Sequence, residues 1–399
     1  MKKKIIVVGT GYVGLPAALL LARAGYDVVG VDINENIVQA INDGILHIKE
    51  TDLQKIMDAP QVRQNLHAQS VPCAADVFLI AVPTPIHPHK KVAELKYVHE
   101  AVESIIPYLQ PGNLVILEST VPPLTCRTVI TPILEKSGLT VGKDLFLAHC
   151  PERILPGDVF YEIVHNNRII GAADQTSREM AQDIYASFVK GELSQTDDIT
   201  AEICKLMENT YRDVNIALAN ELAEVMEGLG INPVKAIELA NKHPRVNILK
   251  PGIGVGGHCI PIDPWFIKEV DPANSRLIFT SRLINEEMPH RIAAKIRRSM
   301  RDVSNPQIVA VGASYKANTV DIRESPALKI VELLAQDGYH VDHFDPLISG
   351  MEYSSLSKVC QGMDCLAILV EHNVVRDELK SCIEELRLCM RTPIILRFC

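Results

Sequence analysis

Ile5-Ile6-Val7-Val8-Gly9-Thr10-Gly11-Tyr12-Val13-Gly14-Leu15-Pro16 is the stretch that decides the fold of this chain. A short run of β-branched residues reads as a buried strand, and the Gly-x-Gly-x-x-Gly turn after it opens an apolar helix over 15–24 that Gly25 stops. A second strand over 26–31 ends on Asp32. Glycines between a strand and a helix permit a tight turn and a close approach to pyrophosphate, whose charge sits at the helix N-terminus. Asp32 follows Gly14 by 18 residues, where a carboxylate can bond ribose hydroxyls. The same carboxylate repels a 2′-phosphate, which favours NAD over NADP and leaves a flavin dinucleotide open.

Further strands are expected over 77–82 and 114–118, with a helix over 96–109 stopped by Pro111-Gly112. Strands alternating with helices predict a parallel sheet wound on both faces. From 199 to 229 there is no proline, and apolar residues recur at helical spacing, which predicts a helix of ~45 Å. A Gly/Pro-rich stretch at 251–264 and more helix to about 301 follow, and then strands over 307–311, 340–344 and 365–370 with a helix over 326–337. The expected fold class is α/β: two Rossmann-like, doubly wound domains joined by a long central helix and a helical dimerisation region. The divisions fall at 1–197, 198–301 and 302–399.

Composition narrows the function. Lys and Arg total 40 and Asp and Glu 49 in 399 residues, a net charge of −9, so there is no electrostatic footprint for nucleic acid or an anionic membrane. With 47% hydrophobic and 22% charged residues, disordered, collagen-like and coiled-coil classes are excluded. The apolar run after Lys2-Lys3-Lys4 is too short for a secretory signal, and no stretch reaches ~18 apolar residues. A soluble, cytoplasmic chain with reduced thiols is expected. Its ten cysteines contain no C-x-x-C pair, so neither zinc nor a disulfide framework is expected. Most read as small buried hydrophobes, and at most one or two carry chemistry.

Gly252-Ile253-Gly254-Val255-Gly256-Gly257-His258-Cys259-Ile260-Pro261-Ile262-Asp263-Pro264-Trp265 is the most unusual segment. Glycine this dense lets backbone approach a ligand, and a cysteine in such a loop reads either as a nucleophile or as a buried bystander. His258 reads as a possible base for it, although adjacent residues in extended chain point apart. Lys205 and Asn209 stand at i and i+4 of the long helix and share a face. Lys205 interrupts an apolar sector, so it is either a desolvated general base or a lysine snorkelling at the surface. Pro83-Thr84-Pro85 and Ser119-Thr120 follow strands, where they line a cofactor crevice or merely shape loops.

Taken in order, Gly9-x-Gly11-x-x-Gly14, Val82-Pro83-Thr84-Pro85, Glu118-Ser119-Thr120-Val121-Pro122, Pro151-Glu152-Arg153, Lys205-x-x-Glu208-Asn209, Gly256-Gly257-His258-Cys259, Tyr315-Lys316 and Arg323-Glu324-Ser325-Pro326 resemble the UDP-glucose/GDP-mannose dehydrogenase family over essentially the whole chain. The resemblance implies an N-terminal NAD-binding Rossmann domain, a helical dimerisation region and a C-terminal domain for the nucleotide sugar. It implies oxidation of a sugar C6 hydroxyl to a carboxylate with two NAD+, through a thiohemiacetal and a thioester on Cys259. In that reading Lys205 is the acid/base and oxyanion stabiliser, Asn209 a co-stabiliser, Asp263 tunes Lys205 or the hydrolytic water, and Glu152 helps activate that water. Implied cofactor residues are Gly9, Gly11, Tyr12, Val13, Gly14, Asp32, Thr84, Thr120 and Arg323. Implied substrate residues are Arg153, Ile154, Lys205, Asn209, Arg212, His243, Arg245, Gly256, Tyr315 and Lys316, with Arg245 reaching a neighbouring subunit of a homodimer. Arg153 and Ile262 stand where the glucose-specific branch usually has phenylalanine and lysine, so the resemblance points to a UDP-N-acetylhexosamine, the N-acetylmannosamine epimer foremost. UDP-N-acetylglucosamine, UDP-glucose and a catalytically silent nucleotide-sugar sensor are the alternatives. The short region after His343-Phe344-Asp345-Pro346 and the ending Arg397-Phe398-Cys399 depart from the family's usual pattern.

Overall fold

Side chains alternate along β1 (Lys4–Val8), and this splits its apolar run between two cores. Ile5 and Val7 pack with Leu15 and Leu19 on one face, while Ile6 and Val8 pack with Val98 and Val102 on the other. A strand buried on both faces reads as a continuous apolar run, which is why the alternation is invisible in the sequence. The computed structural model describes residues 2–48, 51–153 and 159–398. The chain packs as two units, Met1–Glu208 with Trp265–Asp271 and Asn209–Pro264 with Pro272–Cys399.

The first unit continues with β2 (Asp27–Val31), β3 (Leu66–Gln69), β4 (Val77–Ile80), β5 (Leu114–Leu117), β6 (Phe146–His149), β7 (Arg168–Gly171) and β8 (Leu193–Thr196). Among the described residues these form one sheet in the order β3-β2-β1-β4-β5-β6-β7-β8. The order reverses between β1 and β4, the switch point at which such sheets open a crevice. β1 to β6 are parallel, but β6 meets β7 antiparallel through the single pair His149–Gly171. The sheet is therefore mixed at one edge, where an all-parallel one was expected. The helix Gly14–Ala24 ends on Gly25 at φ +102°, whose N–H caps the Leu21 and Ala22 carbonyls.

The long helix Asp198–Gly228 matches the expected span to within a residue. Asp197 caps it, taking the Thr200 N–H at 3.0 Å and the Thr200 hydroxyl at 2.6 Å. One turn on, buried Glu202 accepts the N–H groups of Leu124 (2.6 Å) and Cys126 (2.8 Å), tying the helix to the loop after β5. Leu124 sits at φ +75°, a conformation that a branched side chain resists, and the Glu202 carboxylate holds it there.

The second unit carries β9 (Gln307–Val311), β10 (His340–Phe344), β11 (Cys365–Ile368) and β12 (Ile394–Arg397). They form a four-stranded sheet in the order β10-β9-β11-β12, with every pair parallel. Ile308 and Ala310 face one core while Val309 and Val311 face another, the same two-sided division as in β1. No described helix is long and apolar enough to cross a membrane. All nine described cysteines are free thiols.

Candidate active site

In the first unit, the three glycines of the opening turn have different reasons to be glycine. A Cβ on Gly14 would lie 1.9 Å from the Gly9 carbonyl oxygen, and one on Gly9 would lie 2.6 Å from that of Ala81. The protein's own backbone forbids both. A Cβ on Gly11 would meet nothing within 4 Å, so Gly11 keeps open a space beside the turn. The helix that starts at Gly14 has no side-chain cap and no acid in its first turn; the Leu15 N–H donates to the Gly11 carbonyl at 3.1 Å and Pro16 has no N–H, so what this end offers an anion is chiefly the positive end of the helix dipole. Asp32 is half-buried at the end of β2. Its Oδ2 accepts the Thr10 N–H (3.1 Å) and hydroxyl (2.9 Å), and its Oδ1 accepts the Asn34 N–H (3.0 Å). A carboxylate has about four lone-pair sites, so it can hold the glycine loop and still accept ribose hydroxyls. The Thr84 hydroxyl is buried without a partner among the described residues, and Thr120 is half-buried beyond β5. These residues fit NAD: an open cradle at Gly11, a helix N-terminus with no side-chain cap, an acid after β2 and a hydroxyl awaiting a bond.

Three charges share the interior of the same unit. Arg168, 3% exposed at the start of β7, donates to Glu118 after β5 at 2.9 Å and to Glu152 after β6. Tyr185 donates to the same Glu118 oxygen at 2.7 Å, and its ring lies 4.7 Å under the guanidinium. Burial, partly countered by Arg168, raises the Glu118 carboxyl from 4.5 to about 7. Glu152 also accepts the N–H of Arg153 at 2.6 Å. The sequence singled out Glu152 but missed Arg168 and Tyr185. The available signal was a lone arginine opening an otherwise apolar strand. Arg153 is engaged by Glu208 (2.7 Å) and the Asn167 carbonyl (3.0 Å), and Ile154 lies outside the described residues. Lys205 is 8% exposed, so the snorkelling alternative falls.

The second unit holds the cysteine loop. The Cys259 carbonyl accepts the N–H groups of Ile262 (3.0 Å) and Asp263 (2.9 Å), a turn that starts the helix Asp263–Val270. Asn209, fully buried one helical turn after Lys205, donates its amide to Asp263 and accepts from Arg212. The glycines next to Cys259 rest on the segment after β9. A Cβ on Gly256 would lie 2.5 Å from the Glu324 carbonyl oxygen and 2.8 Å from the Tyr315 Cβ, and the Gly257 N–H donates to the Arg323 carbonyl at 3.0 Å. Arg323 is forked onto Asp321, and His258 faces that carboxylate at 3.9 Å. Burial, then the negative charge of Asp321, pushes the Tyr315 phenol up. Lys316, His243 and Arg245 are exposed. Burial raises the thiols of Cys126 and Cys150, and it raises Cys360 and Cys365 to about 12, which marks them as inert. No group of three or more His, Cys, Asp or Glu among the described residues could hold a metal ion.

A glycine turn open to a dinucleotide, a second parallel Rossmann-like sheet and a cysteine loop set in glycines are features expected of a dinucleotide-dependent oxidoreductase. Residues 3–189, 199–287 and 309–397 match in turn the NAD binding domain, the central domain and the UDP binding domain of the UDP-glucose/GDP-mannose dehydrogenase family. This chain belongs to that family. It is 46% identical over 399 residues to the UDP-N-acetyl-D-mannosamine dehydrogenase of Methanocaldococcus jannaschii, covering 99% of this chain and 91% of the relative. Among solved structures it resembles the UDP-D-ManNAc dehydrogenase of Pyrococcus horikoshii, at a TM-score of 0.92 and 40% identity over 99% of this chain and 95% of that one. It also resembles the UDP-N-acetyl-mannosamine dehydrogenase of Staphylococcus aureus, at a TM-score of 0.90 and 42% identity over 99% and 94%.

Proposed function

We propose that this chain oxidises the C6 hydroxyl of UDP-N-acetyl-D-mannosamine to a carboxylate, with Cys259 as the covalent nucleophile. The observation that carries the chemistry is the buried Asn209–Asp263 pair, which shares a turn with the Cys259 carbonyl. The named relatives support the substrate. NAD, when bound, accepts a hydride in each of two oxidations. Lys205 takes the C6 hydroxyl proton as the first hydride leaves, giving an aldehyde. Cys259 adds to it as thiolate: a C–S bond forms, Lys205 returns its proton to the carbonyl oxygen, and the aldehyde is held as a thiohemiacetal. Loss of that proton and of the second hydride leaves a thioester. Glu152 draws a proton from water as its oxygen attacks the thioester carbon, the C–S bond breaks, and the thiolate is restored. Asn209 and Lys205 stabilise the oxyanions, and Asp263 holds Asn209 in place. Arg153, Ile154, Arg212, His243, Gly256, Tyr315 and Lys316 serve the sugar nucleotide, and Arg323 serves the cofactor. The labour divides along the chain as NAD binding over 1–197, the cysteine loop and assembly over 198–301, and UDP-sugar binding over 302–399.

The working form is a cytoplasmic homodimer, with Arg245 reaching the partner's substrate. Tyr211, Leu218 and Val225, seven residues apart on the long helix, are 58%, 47% and 61% exposed, a stripe suited to a second copy of the same helix. Sedimentation of Leu218→Glu as a monomer supports this, and an unchanged dimer overturns it.

The test of the chemistry is stoichiometric. With NAD and UDP-N-acetylmannosamine the protein forms two NADH per sugar, at a kcat/KM at least about tenfold above those for UDP-N-acetylglucosamine and UDP-glucose. Cys259→Ala abolishes complete turnover, a loss of about a thousandfold or more. Full four-electron turnover by that variant refutes the thioester role. Binding without NADH on every sugar reinstates the sensor.

A further inference from the structure

We infer that Asp345 and His372 are positioning residues for the cysteine loop: a buried pair that fixes the segment 312–325, on which Gly256 and Gly257 rest. The inference rests on Cys259 being the nucleophile.

Three strand ends meet at the pair. Asp345 follows β10, His372 follows β11, and the segment itself leaves β9 through Gly312. Neither side chain of the pair has any solvent exposure. Asp345 Oδ2 accepts the Ala313 N–H at 2.7 Å and the His372 Nε2–H at 2.9 Å, while its Oδ1 accepts the Leu347 N–H at 2.9 Å. His372 Nδ1 accepts the Asn318 N–H at 2.9 Å. These partners fix the tautomer, with the proton on Nε2, so the neutral ring bridges an acceptor and a donor. Asn318 is thereby held at φ +60°, and its own Oδ1 takes the Asn373 N–H at 2.9 Å. The segment is pinned at both 313 and 318. Within the short span that remains, Tyr315 N–H donates to the Asp321 carbonyl (2.9 Å), and Arg323 folds back on the Asp321 carboxylate. This is the surface against which Gly256 and Gly257 close, three and two residues from Cys259, with no room for a Cβ at Gly256. The pair touches none of the reacting atoms in this account, and its effect on Cys259 passes through Asn318 and Tyr315.

The test reads thiol reactivity rather than turnover. His372→Leu removes both bonds, whereas His372→Gln can restore them, its amide oxygen facing Asn318 and its amide nitrogen facing Asp345. Alkylation by iodoacetamide is followed by peptide mass at Cys259 and at Cys73, a half-buried thiol of the other unit that serves as internal reference. In His372→Leu the Cys259-to-Cys73 ratio rises at least about tenfold, and in His372→Gln it stays within about threefold of the parent. An unchanged ratio in His372→Leu overturns the inference, as does a Gln variant that behaves like Leu or a parallel rise at both thiols. If His372→Leu does not fold, Asp345→Asn is read in its place, and amide exchange must quicken at Asn318 and Gly257 above that of the glycine turn in the first unit. Failure of the proposed activity shows separately, as absence of NADH from the unmodified protein.

Discussion

β1 and β9 each end in a glycine of positive φ, Gly9 at +87° and Gly312 at +96°, and each glycine is pressed by the chain leaving the next strand over. A Cβ on Gly9 would strike Ala81 after β4, and one on Gly312 would lie 2.5 Å from the Val370 carbonyl oxygen after β11. Each second strand then ends at an aspartate that takes the N–H of the residue following that glycine: Thr10 on Asp32, Ala313 on Asp345. From this point the two sheets part. Asp32 stays half-exposed beside the open cradle at Gly11, while Asp345 is sealed beneath His372. One turn leaves open space beside Gly11, and the other is completed by the protein itself. A Rossmann-like sheet therefore need not offer a dinucleotide site. It offers one where the carboxylate and the turn are left open.

The largest effects should come from the glycines that backbone forbids changing. Gly14→Ala, with its Cβ 1.9 Å from Gly9, should destabilise the first unit by about 3 kcal/mol or more in chemical denaturation and abolish NADH binding. Gly312→Ala combines a backbone clash with a left-handed φ and should cost about 2–4 kcal/mol, with NADH affinity falling far less than in Gly14→Ala because the glycine turn is untouched. Loss of NADH binding in the second variant would break the comparison.

The pH dependence of the two sheets should have opposite sign. Glu118 titrates at about 7 in the folded chain against 4.5 as the reference, so the folded state binds the extra proton between those values. Its contribution to stability is fully present below about 4.5 and is lost as pH rises through about 7. Glu118→Gln should remove a swing on the order of 1–3 kcal/mol between pH 5 and pH 8, read from denaturation of the first unit. Asp345 is pushed up by burial but held lower overall by His372 and the Ala313 and Leu347 N–H groups, so its contribution is present above the reference value of 3.8 and is lost in acid below it. A second unit that weakened between pH 5 and pH 8 while the first did not would invert this assignment.

The smallest effect is also the most specific. Gly11→Ala meets no protein atom, so its melting temperature should match the parent while NADH affinity falls by about tenfold, measured by fluorescence titration. A matching loss of stability would mean that Gly11, like Gly14, serves the fold rather than the ligand.

The sequence showed the β1–glycine–helix unit, the long helix and β9 to within a residue or two, because each is set by neighbours along the chain. It did not show β3 (LHAQ), which has no β-branched or aromatic residue, or β8 (LSQT), whose one β-branched residue is Thr196. Nor did it show the reversal at β7, a matter of how a connection runs rather than of composition. The site divides in the same way. Gly11, Asp32, Lys205 and Cys259 stood out by local spacing, and the sequence by itself determined a dinucleotide turn, a lysine and asparagine one turn apart, and a cysteine set in glycines. Only the tertiary structure decided that Arg168 meets Glu118, that Asn209 meets Asp263 and that His372 seals Asp345, pairs 50, 54 and 27 residues apart. Local spacing is written in the backbone's own periodicity, whereas a charge or a proton is settled by burial and by the partners that distant strands bring to it.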